Sequence, residues 1–238
     1  MRIGTIVEGP TDRLMIKAIV DAICLGEHQY FDLQPADVGD SFGEPGGWKR
    51  VRRFCQDIWQ NLNTNVSDFI IDYDLDLLLI HVDADVVEES DLQEGIRHPI
   101  DPVIVNCPPI EPAINRIHEV IARWLNLLEA TALPSNIILV VPAQDSENWI
   151  FAGLFPDDGL CQNDDYECVQ QDNSKHPAFC LSLKKYEYEG IRLRRTNGRV
   201  RKTVSFYRHI LPVMIDHWVQ VCEICTQAQR FHARLKEL

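Results

Sequence analysis

Residues 77–85 read LLLIHVDAD, and residues 3–12 read IGTIVEGPTD. Each contains a short apolar run that ends in acidic residues. Glu8 ends the run that begins at residue 3, and Asp83 and Asp85 end the run that begins at residue 77. Such runs are typical of strands buried in a parallel sheet. Parallel strands end at one edge of the sheet, where open α/β folds bind ligands, so we expect these carboxylates to gather there. On an extended strand Asp83 and Asp85 would point to the same face, about 6.5 Å apart.

Carboxylates gathered at one edge repel one another unless a cation neutralises them, and an oxygen-rich cluster suits Mg²⁺ or Mn²⁺. Two further acids are placed to join it. Asp12 follows the Gly-Pro turn after the first run, and Glu147 follows a third apolar run at residues 136–141. The alternative interpretation is that these acids are ordinary loop and cap residues. The expected metal ligands are Glu8, Asp12, Asp83, Asp85 and Glu147.

The two motifs resemble the Toprim domain of topoisomerases, bacterial primases and OLD-family (overcoming lysogenization defect) nucleases, where a strand-end Glu and a later Asp-x-Asp bind divalent metal. The chain is more similar to small stand-alone bacterial Toprim-like proteins, which are often encoded beside an ATPase and carry an acid at the place of Asp12. The resemblance implies an α/β fold: a Rossmann-like Toprim core with a mostly parallel sheet flanked by helices over residues 1–155. A basic, helical C-terminal extension over residues 156–238 is expected to pack on that core.

The same resemblance implies a metal-dependent nuclease in which Glu8 and both aspartates of the Asp-x-Asp motif are catalytic. OLD nucleases also use a lysine near the scissile phosphate. Lys202 is the position we match to it, although Lys184 and Lys185 compete for that role. The chain contains no G-x-x-x-x-G-K-[ST] loop, so the expected ATPase partner is a separately encoded polypeptide. An antiphage defence role is implied by the same likeness.

Charge is unevenly distributed in this chain, whose net charge is −13. Residues 49–53 carry four cationic side chains, and residues 184–202 carry eight against two glutamates. Basic segments on an acidic body predict contact with a localised anionic partner, here nucleic acid, although solvated helix and loop faces are the alternative. The first segment also opens a predicted helix over residues 48–62, where cations are unfavourable and a bound anion would relieve them. The expected nucleic-acid-binding residues are Lys49, Arg50, Arg52, Arg53, Arg199, Arg201 and Lys202.

Other enzyme classes fit the sequence less well. Haloacid-dehalogenase-type phosphotransfer enzymes read Asp-x-Asp-x-Thr, but Val87 stands two residues past Asp85. Topoisomerase action needs a nucleophilic tyrosine that no motif identifies here, and primase action needs template and nucleotide domains. The remaining alternative is a non-catalytic Toprim-like module that binds nucleic acid or a protein partner, which we disfavour because the motif acids are all present.

Composition suggests a cytoplasmic protein. No window has about 18 uninterrupted apolar residues, and the amino terminus has no signal-peptide pattern. The eight cysteines are therefore expected to be reduced thiols. The oligomeric state is left open by the sequence.

Overall fold

The computed structural model describes residues 1–34, 47–101, 107–127, 133–169 and 173–238. The chain divides into two compact units. Unit 1 comprises Met1–Gly9, Gly26–Asn106 and Glu111–Val141, and unit 2 comprises Pro10–Leu25, Cys107–Ile110 and Pro142–Leu238. Unit 2 combines residues from both sides of position 155, and the expected domain boundary there stays a prediction.

Helices and strands alternate in the first two thirds of the chain, and helices dominate the last third. In chain order the elements are β1 (Arg2–Ile6), α1 (Pro10–Ile23), β2 (Gln29–Gln34), α2 (Trp48–Gln60), α3 (Val66–Asp72), β3 (Leu77–His81), α4 (Glu111–Trp124), β4 (Ile137–Val140), α5 (Ser146–Leu154), α6 (Pro177–Cys180), β5 (Arg194–Thr196), β6 (Arg199–Arg201), α7 (Val204–Asp216), α8 (Trp218–Ile224) and α9 (Thr226–Lys236). Short 3-10 helices cover Ala84–Glu88, Tyr166–Cys168 and Lys184–Tyr186.

Unit 1 is built on a four-stranded, all-parallel sheet with the strand order β2-β1-β3-β4. Every residue of β3 is buried, as a continuous apolar run in a parallel sheet predicts. Helices α2, α3 and α4 flank the sheet, and Trp48 of α2 stacks on Trp124 of α4 with ring centroids 6.3 Å apart. The α/β class and the parallel sheet flanked by helices are thus confirmed, whereas the Rossmann-like and Toprim assignments stay predictions.

Unit 2 is mainly helical, which confirms the expected helical C-terminal region. Its central helix is α5, buried along its whole length and in contact with α7 and α8. Trp149 of α5 packs edge-on against Trp218 and stacks on Phe231. Gly153 permits close packing of α5 on α7, because an added Cβ would lie 2.7 Å from Cγ of Met214.

One local expectation for unit 2 was wrong. We expected the last helical pattern to break near Pro212, but α7 runs through it and the breaks fall at His217 and Cys225. Pro212 lies on an exposed face of α7, where water can bond the carbonyl left without a donor. The basic stretch over residues 184–202, to which the sequence assigned no element, contains the antiparallel hairpin β5–β6.

The prediction that all cysteines are reduced was also wrong. Cys107 and Cys168 form a disulfide, with Cα atoms 5.5 Å apart, and the other six cysteines are not disulfide-bonded. The two partners are 61 residues apart in the sequence, a separation from which no pairing can be predicted. Among the helices of the described residues, none has the length and apolar character needed to cross a membrane.

Candidate metal centre

Two of the predicted metal ligands, Glu8 and Asp83, come together at the carboxyl ends of the central strands of unit 1. Strands β1 and β3 pair in parallel, with Ile6 opposite Ile80. The chain continues to Glu8 on one side and to Asp83 on the other. The backbone N–H of Asp83 donates a hydrogen bond to Oε1 of Glu8 at 2.8 Å. The Asp83 side chain is buried, so both carboxylate-bearing residues meet at a sheltered strand end.

Asp85 does not lie on an extended strand, and the predicted same-face geometry is wrong. Strand β3 ends at His81, and Ala84–Glu88 forms a 3-10 helix with Asp83 as its N-cap residue. Asp85 lies half-buried in the first turn of that helix. An acid in a first helical turn is favourable by itself, because the N-terminal N–H groups carry partial positive charge. The position of Asp85 therefore has an explanation that needs no metal.

His81 belongs to the same cluster and was missed by the sequence analysis. It is the last residue of β3, is fully buried, and its Nε2 lies 3.3 Å from Oδ1 of Asp83. The signal was present in the spacing, since His81 and Asp83 are two residues apart on an extended segment and share a face. Imidazole is itself a common metal ligand. His81 therefore can orient the Asp83 carboxylate or ligate an ion beside it.

The N-terminus of α2 lies beside Glu8. A Cβ on Gly47, the N-cap residue of α2, would sit 3.1 Å from Oε2 of Glu8. Gly47 has φ 69° and ψ −149°, a conformation that L side chains rarely adopt. The free N–H groups at the start of the helix favour a negative charge there. Residues 43–46, which complete the glycine-rich stretch before α2, lie outside the described residues.

The other two predicted ligands, Asp12 and Glu147, belong to unit 2. Asp12 is buried in the first turn of α1, where Oδ1 accepts a hydrogen bond from the Ser146 hydroxyl at 2.7 Å. Asp145 is the N-cap of α5 and accepts from the backbone N–H of Glu147 at 3.0 Å. His176 Nε2 lies 3.7 Å from Oδ2 of Asp145, and both side chains are buried. The acids around the start of α5 thus have neighbours within unit 2.

Glu147 itself is fully buried and has two strong partners. Nζ of Lys202 lies 2.7 Å from Oε2, and the Tyr207 hydroxyl donates a short hydrogen bond to Oε1. Burial, and next the charge of Glu147, raises the pKa of Tyr207 well above its usual range, so its hydroxyl stays a donor. Two residues predicted for the active site, Glu147 and Lys202, are therefore ion-paired with each other. The sequence separation of 60 residues from Glu147 to Tyr207 explains why sequence reasoning missed the tyrosine.

The basic residues of α2 are partly neutralised within unit 1. Lys49 pairs with Asp91, and Arg52 pairs with Glu94 at 3.0 Å and donates to the Asp91 carbonyl. The hydrogen bond from Lys49, the largest cause, lowers the pKa of Asp91. The argument that these cations need a bound anion was therefore wrong for Lys49 and Arg52, because an acidic loop already lies beside them. A nucleic-acid contact by α2 stays a prediction.

The other predicted nucleic-acid-binding residues lie on or after the β5–β6 hairpin of unit 2. Arg199 and Arg201 are exposed on β6, and Arg201 stands directly opposite Arg194 of β5. The rival lysines, Lys184 and Lys185, lie in a 3-10 helix, where Lys185 Nζ sits 4.4 Å from the ring centroid of Tyr186. Lys202 is distinguished by its ion pair with the buried Glu147.

Comparison of the chain with protein-family models, with curated proteins and with solved structures finds no match. The Toprim resemblance therefore rests on the motif residues alone. What the structure adds is the geometry of the strand ends in unit 1 and of the Glu147 contacts in unit 2.

Proposed function

We propose that this protein is a Toprim-type nuclease that cleaves phosphodiester bonds and depends on Mg²⁺ or Mn²⁺. The core of its metal site would be Glu8, Asp83 and Asp85. The observation that supports this most directly is the hydrogen bond from the Asp83 backbone N–H to the Glu8 carboxylate. It joins two acidic residues at the carboxyl ends of adjacent buried parallel strands, the usual ligand position in α/β folds.

The donor set suits a hard divalent cation. Glu8, Asp83 and Asp85 offer carboxylate oxygens, which Mg²⁺ and Mn²⁺ prefer, and the neighbouring His81 imidazole is acceptable to Mn²⁺. When bound, such an ion supplies Lewis-acid activation of the phosphodiester and of the attacking water.

The residues around the ligands hold them in place. The backbone N–H of Asp83 orients the Glu8 carboxylate, and His81 contacts the Asp83 carboxylate. The start of α2 lies beside the Glu8 carboxylate, and helix N-termini favour a negative charge.

By resemblance, Asp12 and Glu147 are further candidate ligands and Lys202 is the candidate lysine for the scissile phosphate. Nucleic acid is the proposed substrate, contacted by the basic residues of α2 and of the β5–β6 hairpin. A separately encoded ATPase is the proposed partner, antiphage defence the proposed setting, and the cytoplasm the proposed location.

Metal titration of the full chain tests the proposal. In wild type, Mg²⁺ or Mn²⁺ should raise the melting temperature, by an amount equivalent to about 2.7 kcal/mol at one hundred times the dissociation constant. Asp83→Asn and Glu8→Gln should abolish this response. Asp72→Asn is the matched control, since Asp72 is an exposed acid of α3 in the same unit.

The same variants should be assayed for cleavage of plasmid and single-stranded oligonucleotide, with and without the ATPase recovered by co-purification. Metal-dependent cutting by wild type and Asp72→Asn, but not by Asp83→Asn, is the expected result. An unchanged metal response in Asp83→Asn would remove Asp83 from the site and refute the proposal.

A second candidate function is a non-catalytic module that binds nucleic acid or a protein. It is favoured by the Glu147 contacts, because Lys202 and Tyr207 engage both carboxylate oxygens of this fully buried residue. Metal binding without cleavage, even with the ATPase present, would support the module over the nuclease.

A further inference from the structure

Unit 2 contains a cavity of about 860 Å³ at the base of the β5–β6 hairpin. Its wall includes three arginines, Arg192, Arg194 and Arg195, and three hydroxyl side chains, Ser182, Thr203 and Ser205. The buried residues Leu193 and Phe206 add an apolar part to the wall. A few polar groups converging on a concave, partly apolar surface of this size are typical of small-molecule sites.

The wall of this cavity carries net positive charge. Within the part of the chain that the structure describes, neither Arg192 nor Arg194 has an ion-pair partner. Glu189, the nearest acid in sequence to the cavity residue Gly190, lies 3.4 Å from Nε2 of His209. Glu187 approaches the rim, where its Oε1 lies 4.0 Å from the place of a Cβ on Gly190. Three permanent positive charges thus line the cavity, against the two glutamates Glu187 and Glu189 beside it.

The hairpin itself places like charges together. Arg194 and Arg201 are directly opposite each other in the antiparallel pair, an arrangement that destabilises a sheet. Arg195 is held in place, because its guanidinium donates to the Gly198 carbonyl at 3.1 Å and lies 4.5 Å from the ring centroid of Phe179. An anion in the cavity would offset the repulsion and meet a guanidinium that is already positioned.

The start of α7 adds further donors. Thr203 is the N-cap and accepts from the backbone N–H of Phe206, and the first turn of α7 holds no acidic residue. Backbone N–H groups at a helix start favour an anion, which here would also meet the Ser205 and Thr203 hydroxyls. Residues of the helix start therefore line the same cavity as the arginines.

We propose that this cavity binds a small polyphosphate ligand, of which a nucleoside triphosphate is the simplest example. A guanidinium group can donate two parallel hydrogen bonds to a phosphate. Three guanidinium groups match the charge of several linked phosphates better than the charge of a single phosphate. The volume is far larger than a single phosphate needs, and Leu193 and Phe206 offer apolar surface to a base or sugar. None of these residues is a ligand of the proposed metal site.

Calorimetric titration of the full chain tests the proposal, with EDTA present so that metal binding does not contribute. The probes are ATP, tripolyphosphate, inorganic phosphate and adenosine. ATP and tripolyphosphate should bind, and inorganic phosphate should bind far more weakly. Arg192→Gln combined with Arg194→Gln should weaken ATP binding by about tenfold for each arginine. Arg230→Gln on the exposed face of α9 is the matched control and should bind ATP like wild type.

The melting temperature of the Arg194→Gln variant shows whether a loss of ATP binding results from misfolding. Because Arg194 faces Arg201, Arg194→Gln should leave the melting temperature of the ligand-free protein unchanged or raised. A fall would show that Arg194 holds the hairpin together and would overturn the proposal. Equal ATP affinity in wild type and the double variant would also overturn it. Binding of a single-stranded oligonucleotide that the double variant loses, without any binding of ATP or tripolyphosphate, would assign the cavity to a nucleic-acid path instead.

Discussion

Replacing Tyr207 by Phe should destabilise the protein, because it removes a hydrogen-bond donor from a buried carboxylate. The Tyr207 hydroxyl donates to Oε1 of Glu147, and both residues are fully buried. A hydrogen bond to a charged group contributes about 1.5–3 kcal/mol, and a buried acceptor that loses its donor pays a desolvation cost of similar size. We therefore expect Tyr207→Phe to lower the free energy of unfolding by about 1.5–3 kcal/mol. Burial keeps the pKa of Tyr207 high, so the loss should be the same throughout the neutral pH range.

Urea unfolding followed by circular dichroism measures this loss. The matched control is Tyr188→Phe, since Tyr188 is half-buried and its hydroxyl has no hydrogen bond within the described residues. Glu147→Gln, alone and combined with Tyr207→Phe, completes a double-mutant cycle. Tyr207→Phe should cost less in the Glu147→Gln background, because the charged acceptor is already gone. Equal costs in both backgrounds, or a wild-type midpoint for Tyr207→Phe, would refute the assigned contact.

Three further predictions concern other parts of the structure. Gly47→Ala should cost about 1–3 kcal/mol from its backbone conformation and also weaken metal binding by displacing Glu8, whereas Gly26→Ala, with open space around it, should leave metal binding unchanged. Nδ1 of His232 accepts a hydrogen bond from the Trp218 indole, and burial lowers the pKa of this histidine. The neutral imidazole therefore contributes to the free energy of unfolding fully above pH of about 6.5, and this contribution is lost as pH falls through the lower pKa of the folded protein. The melting temperature of wild type should therefore fall more between pH 7.5 and pH 5 than that of His232→Gln; equal falls would contradict this. Alkylation of the denatured, unreduced protein should label six of the eight cysteines, and labelling of all eight would contradict the disulfide.

Apolar periodicity predicted the elements that bury a continuous face. The strands ending before Glu8 and Asp83 and the helix that begins at Trp48 lie where the pattern placed them. In these cases burial determines both the apolar sequence pattern and the position of the helix or strand, so the pattern predicts the element.

The β5–β6 hairpin was missed although it carries a turn signal. Asn197 and Gly198 both have positive φ, 50° and 79°, as a two-residue hairpin turn requires, and Asn-Gly is the strongest short-range signal for it. The flanking residues are arginines and not alternating apolar residues, so the strand pattern was absent. Five of the six residues of β5 and β6 are exposed, so burial of an apolar face does not drive the pairing of these two strands.

The partners of the candidate acids were beyond sequence reasoning for a different reason. A motif identifies which acid stands at a strand end, but not which side chain from a distant segment reaches it. Lys202 brings a full positive charge to Glu147, whereas the backbone N–H of Asp83 orients Glu8 without adding a full charge. The acids of the two units are therefore expected to differ in what their removal does. Loss of Lys202 should affect stability through a buried, uncompensated carboxylate, even in the absence of metal. Loss of the Asp83 charge should act mainly on the response to a divalent ion, because repulsion at the strand ends is relieved as the ligand is lost. A variant set that separates these two effects thus distinguishes a carboxylate held for the fold from carboxylates held for a cation.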